Sequence, residues 1–117
     1  MHLRADIWVA AYLRRCGTEG AYAVLRKRGS PEAGAIFVKV DRLDGQAAVY
    51  GPAPSSQLAE REGIDRLWAR MHAQPWIDPL AAEERLRREM SFDPDLWLVE
   101  VEDRKGRCFL DLAEEGG

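Results

Sequence analysis

The stretch from Ala35 to Tyr50 constrains the fold of this chain most. Ala35-Ile-Phe-Val-Lys-Val-Asp41 is rich in β-branched residues, Asp44-Gly45 carries the strongest short signal for a strand reversal, and Gln46-Ala-Ala-Val-Tyr50 resumes the apolar run. An isolated hairpin is barely stable in water, so further elements must cover it. Upstream, Ala21 to Arg28 reads as another strand and ends in the turn-rich hexamer Gly29-Ser-Pro-Glu-Ala-Gly34, whose glycines suit φ > 0. Three consecutive antiparallel strands in a meander are therefore expected.

Helical signals flank this meander. Val9, Tyr12, Leu13 and Cys16 recur at i, i+3, i+4, i+7 behind Asp6 as a cap, with Gly17 as a stop. A helix over Asp6–Cys16 is the reading taken, although Ile7, Val9, Ala11 and Leu13 also alternate as a strand would. Ile64, Leu67, Trp68 and Met71 predict a second helix, after the Pro- and Gly-bearing loop 50–56. A third begins at Asp78-Pro79 and carries Glu83/Arg87 and Glu84/Arg88 as solvent-facing i, i+4 pairs. Alternation over Trp97–Glu102, a turn at Lys105-Gly106 and the run Cys108–Leu112 predict a closing hairpin, with residues 113–117 frayed.

A chain of 117 residues, 46% hydrophobic and 32% charged, fits one folded domain over 1–117 and excludes a disordered or collagen-like polymer. The expected class is α+β, a mostly antiparallel sheet of about five strands with about three helices packed on it. No apolar run approaches the roughly 18 residues that span a bilayer, and Met-His-Leu-Arg-Ala-Asp does not begin as a signal peptide does. The expectation is a cytoplasmic protein without a membrane partner, its two cysteines, Cys16 and Cys108, reduced. Residues 1–50 hold eight Lys or Arg against five Asp or Glu, and residues 51–117 hold nine against fifteen, which gives the net charge of −3. Two such halves can neutralise each other within one fold.

Candidate functional residues follow from the expected registers. With Gly29 opposite Gly34 and Leu43 opposite Gln46, one face collects Ala23, Leu25, Ile36, Val38, Val40 and Val49 as core. The other collects Tyr22, Val24, Arg26, Arg28, Phe37, Lys39 and Tyr50, with Arg26 across from Phe37 and Lys39 across from Tyr50. Arginine forks and a tyrosine platform suit carboxylate or phosphate recognition. The surface around Arg14, Arg15, Arg26, Arg28, Lys39 and Tyr50 is thus the expected ligand surface. The competing reading pairs these cations internally with Glu100, Glu102 and Asp111 of the closing hairpin.

Catalytic signals are sparse. Only His2 and His72 are present, so a Cys–His pair would require Cys16 or Cys108 to meet His72, and transition-metal ligand sets are lacking. The acidic group Asp93, Asp95, Glu100 and Glu102 is the one candidate for Mg²⁺-dependent hydrolysis. Gly29–Gly34 lacks the Lys-Ser/Thr pair of a phosphate-binding loop. No cofactor is expected.

The order Ile7-Trp-Val-Ala-Ala-Tyr-Leu-Arg-Arg15, Arg28-Gly-Ser-Pro-Glu-Ala-Gly-Ala-Ile-Phe-Val-Lys39, Leu43-Asp-Gly45 and Phe92-Asp-Pro-Asp-Leu-Trp97, followed by Val99-Glu-Val-Glu-Asp103, resembles domain-of-unknown-function family 1491. The resemblance spans nearly the whole chain. It implies a bacterial, alphaproteobacterial, single-domain cytoplasmic protein and brings no activity or site residue with it. The expected function is a non-enzymatic interaction module presenting the basic and aromatic surface to an acidic protein segment or a phosphate-bearing ligand. A small metal-dependent hydrolase is the alternative, and single-stranded nucleic acid binding comes third, against an acidic pI near 5.4. A homodimer would answer the need to cover a free strand edge.

Overall fold

The computed structural model describes residues 3–54 and 66–113. Its elements run α1 (Ala5–Thr18), β1 (Tyr22–Lys27), β2 (Ile36–Asp41), β3 (Ala47–Pro52), β4 (Trp68–Arg70), α2 (Pro79–Phe92) and β5 (Trp97–Glu102). The class is α+β, with two helices and one five-stranded sheet among the described residues. Neither helix is long and apolar enough to cross a membrane.

Each helix is fixed by its ends and one apolar stripe. α1 buries Ala5, Val9, Tyr12 and Cys16, which settles the ambiguity at 6–16 in favour of helix. Asp6 lies inside its first turn and accepts from Ile7 N at 2.8 Å. The helix runs past Gly17 and closes at Gly20, whose φ of 86° lets Gly20 N reach Gly17 O and Ala21 N reach Cys16 O. In α2, Asp78 accepts from Leu80 N at 2.8 Å ahead of Pro79. Its Ala82 and Leu86 are buried. Glu83 turns to the sheet, and the i, i+4 pair observed on this helix is Arg85–Glu89 at 3.3 Å.

Strand order departs from the expected meander. The sheet runs β1-β5-β2-β3-β4. β5 inserts between β1 and β2, antiparallel to the first and parallel to the second, so Gly29 does not face Gly34 in a hairpin. The physical reason lies in burial. β2 is buried along nearly its whole length and β5 along most of it, as central strands must be, whereas β1 keeps Tyr22 and Arg26 exposed, as an edge strand does. Gly29 and Gly34 are needed for proximity rather than for φ, since a Cβ on either would strike the backbone oxygen of Asp95.

Three further expectations are corrected. β2 and β3 pair Lys39 with Val49 and Val38 with Tyr50, one residue from the expected register, because Leu43-Asp44-Gly45 forms a three-residue loop with Leu43 at φ 65° and Gly45 at φ 84°. That slip exchanges faces: Tyr50 joins the core under α1 and Val49 the core under α2. The second predicted helix begins outside the described residues, and its described end, Trp68–Arg70, is strand β4. The closing hairpin does not form. Asp103 holds Arg107 N, Nε and Nη2 at 2.8–3.0 Å, Phe109 adopts φ 56°, and the chain crosses the sheet to lie beside β4.

The sheet thus separates two cores. Under α1, Ile36, Val38, Val40, Tyr50, Trp97 and Val99 pack with Val9 and Tyr12. Trp8 stacks on Tyr12 at 4.8 Å and meets Trp68 at 4.5 Å. Under α2, Phe37, Val49, Leu96 and Leu98 pack with Ala82 and Leu86. The face expected to be basic and aromatic is in large part this second core.

Candidate functional site

The six residues expected to form one ligand surface fall in four places. Arg26 and Lys39 project from β1 and β2 on the α2 face and are neutralised within the chain. Arg26 forms a bidentate pair with Glu83 at 2.7 and 2.8 Å and a third bond to Glu100 at 2.9 Å. Lys39, only 5% exposed, donates to Glu83 Oε2 at 2.7 Å, with Glu100 at 3.9 Å and Asp41 at 4.0 Å. The Arg26 guanidinium and the Lys39 ammonium hold the Glu83 carboxyl down at about 2, against its burial, which opposes them. The hydrogen bond to Glu83 likewise raises Arg26. Internal pairing was foreseen for these cations. Glu100 is the foreseen partner, and Glu83 from α2 is the one that sequence spacing hid.

Tyr50 lies on the opposite face, 2% exposed. Its hydroxyl accepts from Arg70 at 3.1 Å and its ring stands 5.4 Å from that guanidinium. A buried ring offers no stacking platform. Phe37, the ring on which base stacking depended, is closed off beneath α2.

The remaining three residues stay available. Arg14 and Arg15 are exposed near the C-terminal end of α1, which leads into β1. Arg28 is exposed just past the other end of β1, its guanidinium 5.3 Å over the Trp97 ring. Two residues outside the expected set join them. Lys27 donates to the carbonyls of Pro94 and Leu96 at 2.6 and 3.1 Å, and Tyr22 is 63% exposed. Among the described residues, none of Arg14, Arg15, Lys27 and Arg28 has a carboxylate within 4.0 Å. Tyr22 is legible in sequence on the face opposite the core residues Ala23 and Leu25, whereas nothing near Lys27 announces the Pro94 and Leu96 carbonyls that hold it.

The acidic alternative does not assemble. Asp93 ends α2 and accepts from Asp95 N at 3.0 Å in the turn before β5. Glu100 is spent on Arg26, and Glu102 stands across from Tyr22 and Asp41. No group of three or more His, Cys, Asp or Glu able to hold a metal occurs among the described residues. A Cys–His nucleophile is not built either. Both nitrogens of His72 are engaged, Nε2 accepting from Val49 N at 3.0 Å and Nδ1 set against Gln74 O at 2.8 Å. Burial raises both free thiols.

Among the described residues, a cavity of about 350 Å³ opens between Glu32–Ile36, Pro52–Ala53 and Arg66–Trp68. Its walls are mostly apolar, and none of the expected ligand residues lines it.

The geometry therefore defines an α+β domain with two helices and a five-stranded sheet among the described residues, its α2-face cations neutralised internally. A family model described as "Protein of unknown function (DUF1491)" matches residues 3–111, and the chain belongs to that family. It is similar to a DUF1491 family protein from Caulobacter crescentus CB15 seen by crystallography, at 33% identity over 97% of this chain and 100% of that one, with a TM-score of 0.77. An NMR structure of a DUF1491 family protein from the same organism gives 37% identity, coverages of 97% and 99%, and a TM-score of 0.76. A solution structure of a protein from A. tumefaciens gives 35% identity, coverages of 99% and 98%, and a TM-score of 0.79. No curated protein matches the chain.

Proposed function

We propose that this protein is a non-enzymatic interaction module that receives an acidic segment of a partner protein along the β1 side of the sheet. The observation that carries this reading is a division of the cations. Those on the α2 face are consumed by Glu83 and Glu100, while Lys27 and Arg28 carry positive charge at the end of β1 with no carboxylate partner among the described residues. Arg28 is held in place by Trp97, so its fork is oriented before a ligand arrives, which lowers the ordering cost of binding. Tyr22 adds an exposed aromatic ring to the same strand, and arginine and tyrosine are enriched where proteins meet. The module works in the cytoplasm in this reading, where Cys16 and Cys108 stay thiols.

Titration of the full chain with a glutamate-rich peptide tests the reading. Binding should shift the amide resonances of Tyr22, Lys27 and Arg28, weaken as salt rises, and fall at least about tenfold with Arg28→Glu. Tighter binding of a single-stranded oligonucleotide than of the peptide would reject it in favour of phosphate recognition.

A further inference from the structure

The two outer strands of the sheet are treated differently. At one end, β4 has residues 111–113 laid along its outer side: Trp68 N donates to Asp111 O at 2.9 Å and Ala113 N donates to Trp68 O at 2.8 Å. At the other end, β1 pairs with β5 alone, and no backbone group of Tyr22–Lys27 bonds to any other described segment. In an antiparallel pair, alternate residues turn their N–H and C=O outward. β1 thus presents an open row of donors and acceptors, the template on which an extended chain pairs.

We infer that β1 binds its partner by strand addition, taking as a sixth strand along Tyr22–Leu25 an extended segment that is apolar where it faces Ala23 and Leu25 and acidic at the end that reaches Arg28. This rests on the acidic-partner reading above and specifies how the partner is held. The length comes from the bulge between Leu25 and Lys27, which breaks the register and ends the usable edge. The apolar part comes from Ala23 and Leu25, which are half-buried and pack against the α1 core. Side chains of an added strand on that face would extend this core. The acidic end comes from Arg28, exposed just past the bulge, with Lys27 beside it held on the carbonyls of Pro94 and Leu96.

The test uses the full-length ¹⁵N-labelled protein and two capped peptides that alternate glutamate and valine, one of them N-methylated at every second residue so that it cannot donate along one edge. The first peptide should slow exchange of alternate amides between Tyr22 and Leu25 at least about tenfold, and the N-methylated one should bind at least about tenfold more weakly. Equal binding of the two peptides, with β1 amides unchanged, would overturn strand addition while leaving the acidic-partner reading intact. Binding of neither would overturn both. Protection of β1 that grows with protein concentration in the absence of peptide would assign the edge to a second copy and overturn the inference.

Discussion

The two faces of the sheet are built from the same strands, yet they handle polar groups in opposite ways. In the α1 core, neutral donors reach backbone carbonyls: Trp68 Nε1 to Ile36 O at 3.2 Å, Trp97 Nε1 to Ser30 O at 2.7 Å, and the Tyr12 hydroxyl to Cys108 O at 2.6 Å. Cations at its rim lie over rings, Arg28 on Trp97, Arg70 on Tyr50, Arg42 on Trp76 and Arg107 on Phe109, at 4.9–5.4 Å. On the α2 face, cations meet carboxylates instead. Rings and carbonyls do not titrate in acid, whereas carboxylates do. The α1 core should therefore carry stability that acid leaves alone, apart from the Asp103–Arg107 pair at its rim, and the α2 face a part that acid removes.

Trp97→Ala should give the largest loss. It empties the space of a ring that is 1% exposed, strips Ser30 O of its donor and takes the seat from under Arg28. The expected cost is about 3–5 kcal/mol in urea unfolding. If the two faces differ as described, that loss will be nearly the same at pH 7 and pH 4.

Glu83→Ala comes next, on the other face. It leaves Lys39, 5% exposed, without its 2.7 Å partner and releases the fork of Arg26. Glu83 is itself 28% exposed, which places it between a surface pair and a buried one, so the expected cost is about 1–3 kcal/mol. A double-mutant cycle with Lys39→Met measures the pair directly. Coupling near zero would mean that the α2 face is held by Leu86 and Phe37 alone and that its charges are decoration.

The comparison also shows which parts of the fold sequence could reach. Local signals were sufficient where the competing forces are local. Asp78-Pro79 starts α2 where it should, and the stripe of Val9, Tyr12 and Cys16 is buried as a helix face. Non-local pairing was out of reach. Nothing near Gly29–Gly34 announces that residues 97–102 will enter between β1 and β2, and a hairpin is the default for strands joined by a short turn. The face of Tyr50 turned on one residue of loop length, because Leu43 adopts φ 65°, which side chains other than glycine seldom do. The candidate site lost Tyr50 to the register and its cations to the helix above them. Lys39 and Arg26 were placed on the correct face, but α2 covers part of that face and its Glu83 takes both of them. What remained was Arg28, exposed because it lies past the end of β1.

Acid titration sharpens the contrast further. The Glu83 carboxyl sits at about 2 in the folded chain against an ordinary value of 4.5. A depressed carboxyl stabilises the fold above its unfolded value and ceases to do so as pH falls toward the folded one. Wild-type stability should thus drop between about pH 4.5 and about pH 2 by roughly 1–2 kcal/mol more than that of Glu83→Gln. The measurement is the urea midpoint at steps across that window. Parallel curves for the two proteins would show that other carboxylates, Asp103 against Arg107 first among them, govern acid unfolding.

His72 provides the smallest effect and separates the two solutions at the outer side of β3. Its Nε2 accepts Val49 N at 3.0 Å, which requires that nitrogen to be unprotonated. Burial, with Arg70 and Arg85 nearby and opposed by the Gln74 carbonyl, lowers its value below 6.5. The sign follows that of the carboxyl, since a lowered folded value means that unfolding takes up a proton as pH drops past 6.5, and stability declines from there downward. His72→Ala leaves Val49 N without its acceptor and should cost about 0.5–1.5 kcal/mol at pH 8. It should also remove the upper step of the acid profile, while Glu83→Gln removes the lower one. If the upper step survives in His72→Ala, the neutral acceptor at Val49 is not the group that titrates, and the contribution of this side of the sheet is independent of pH, as in the α1 core.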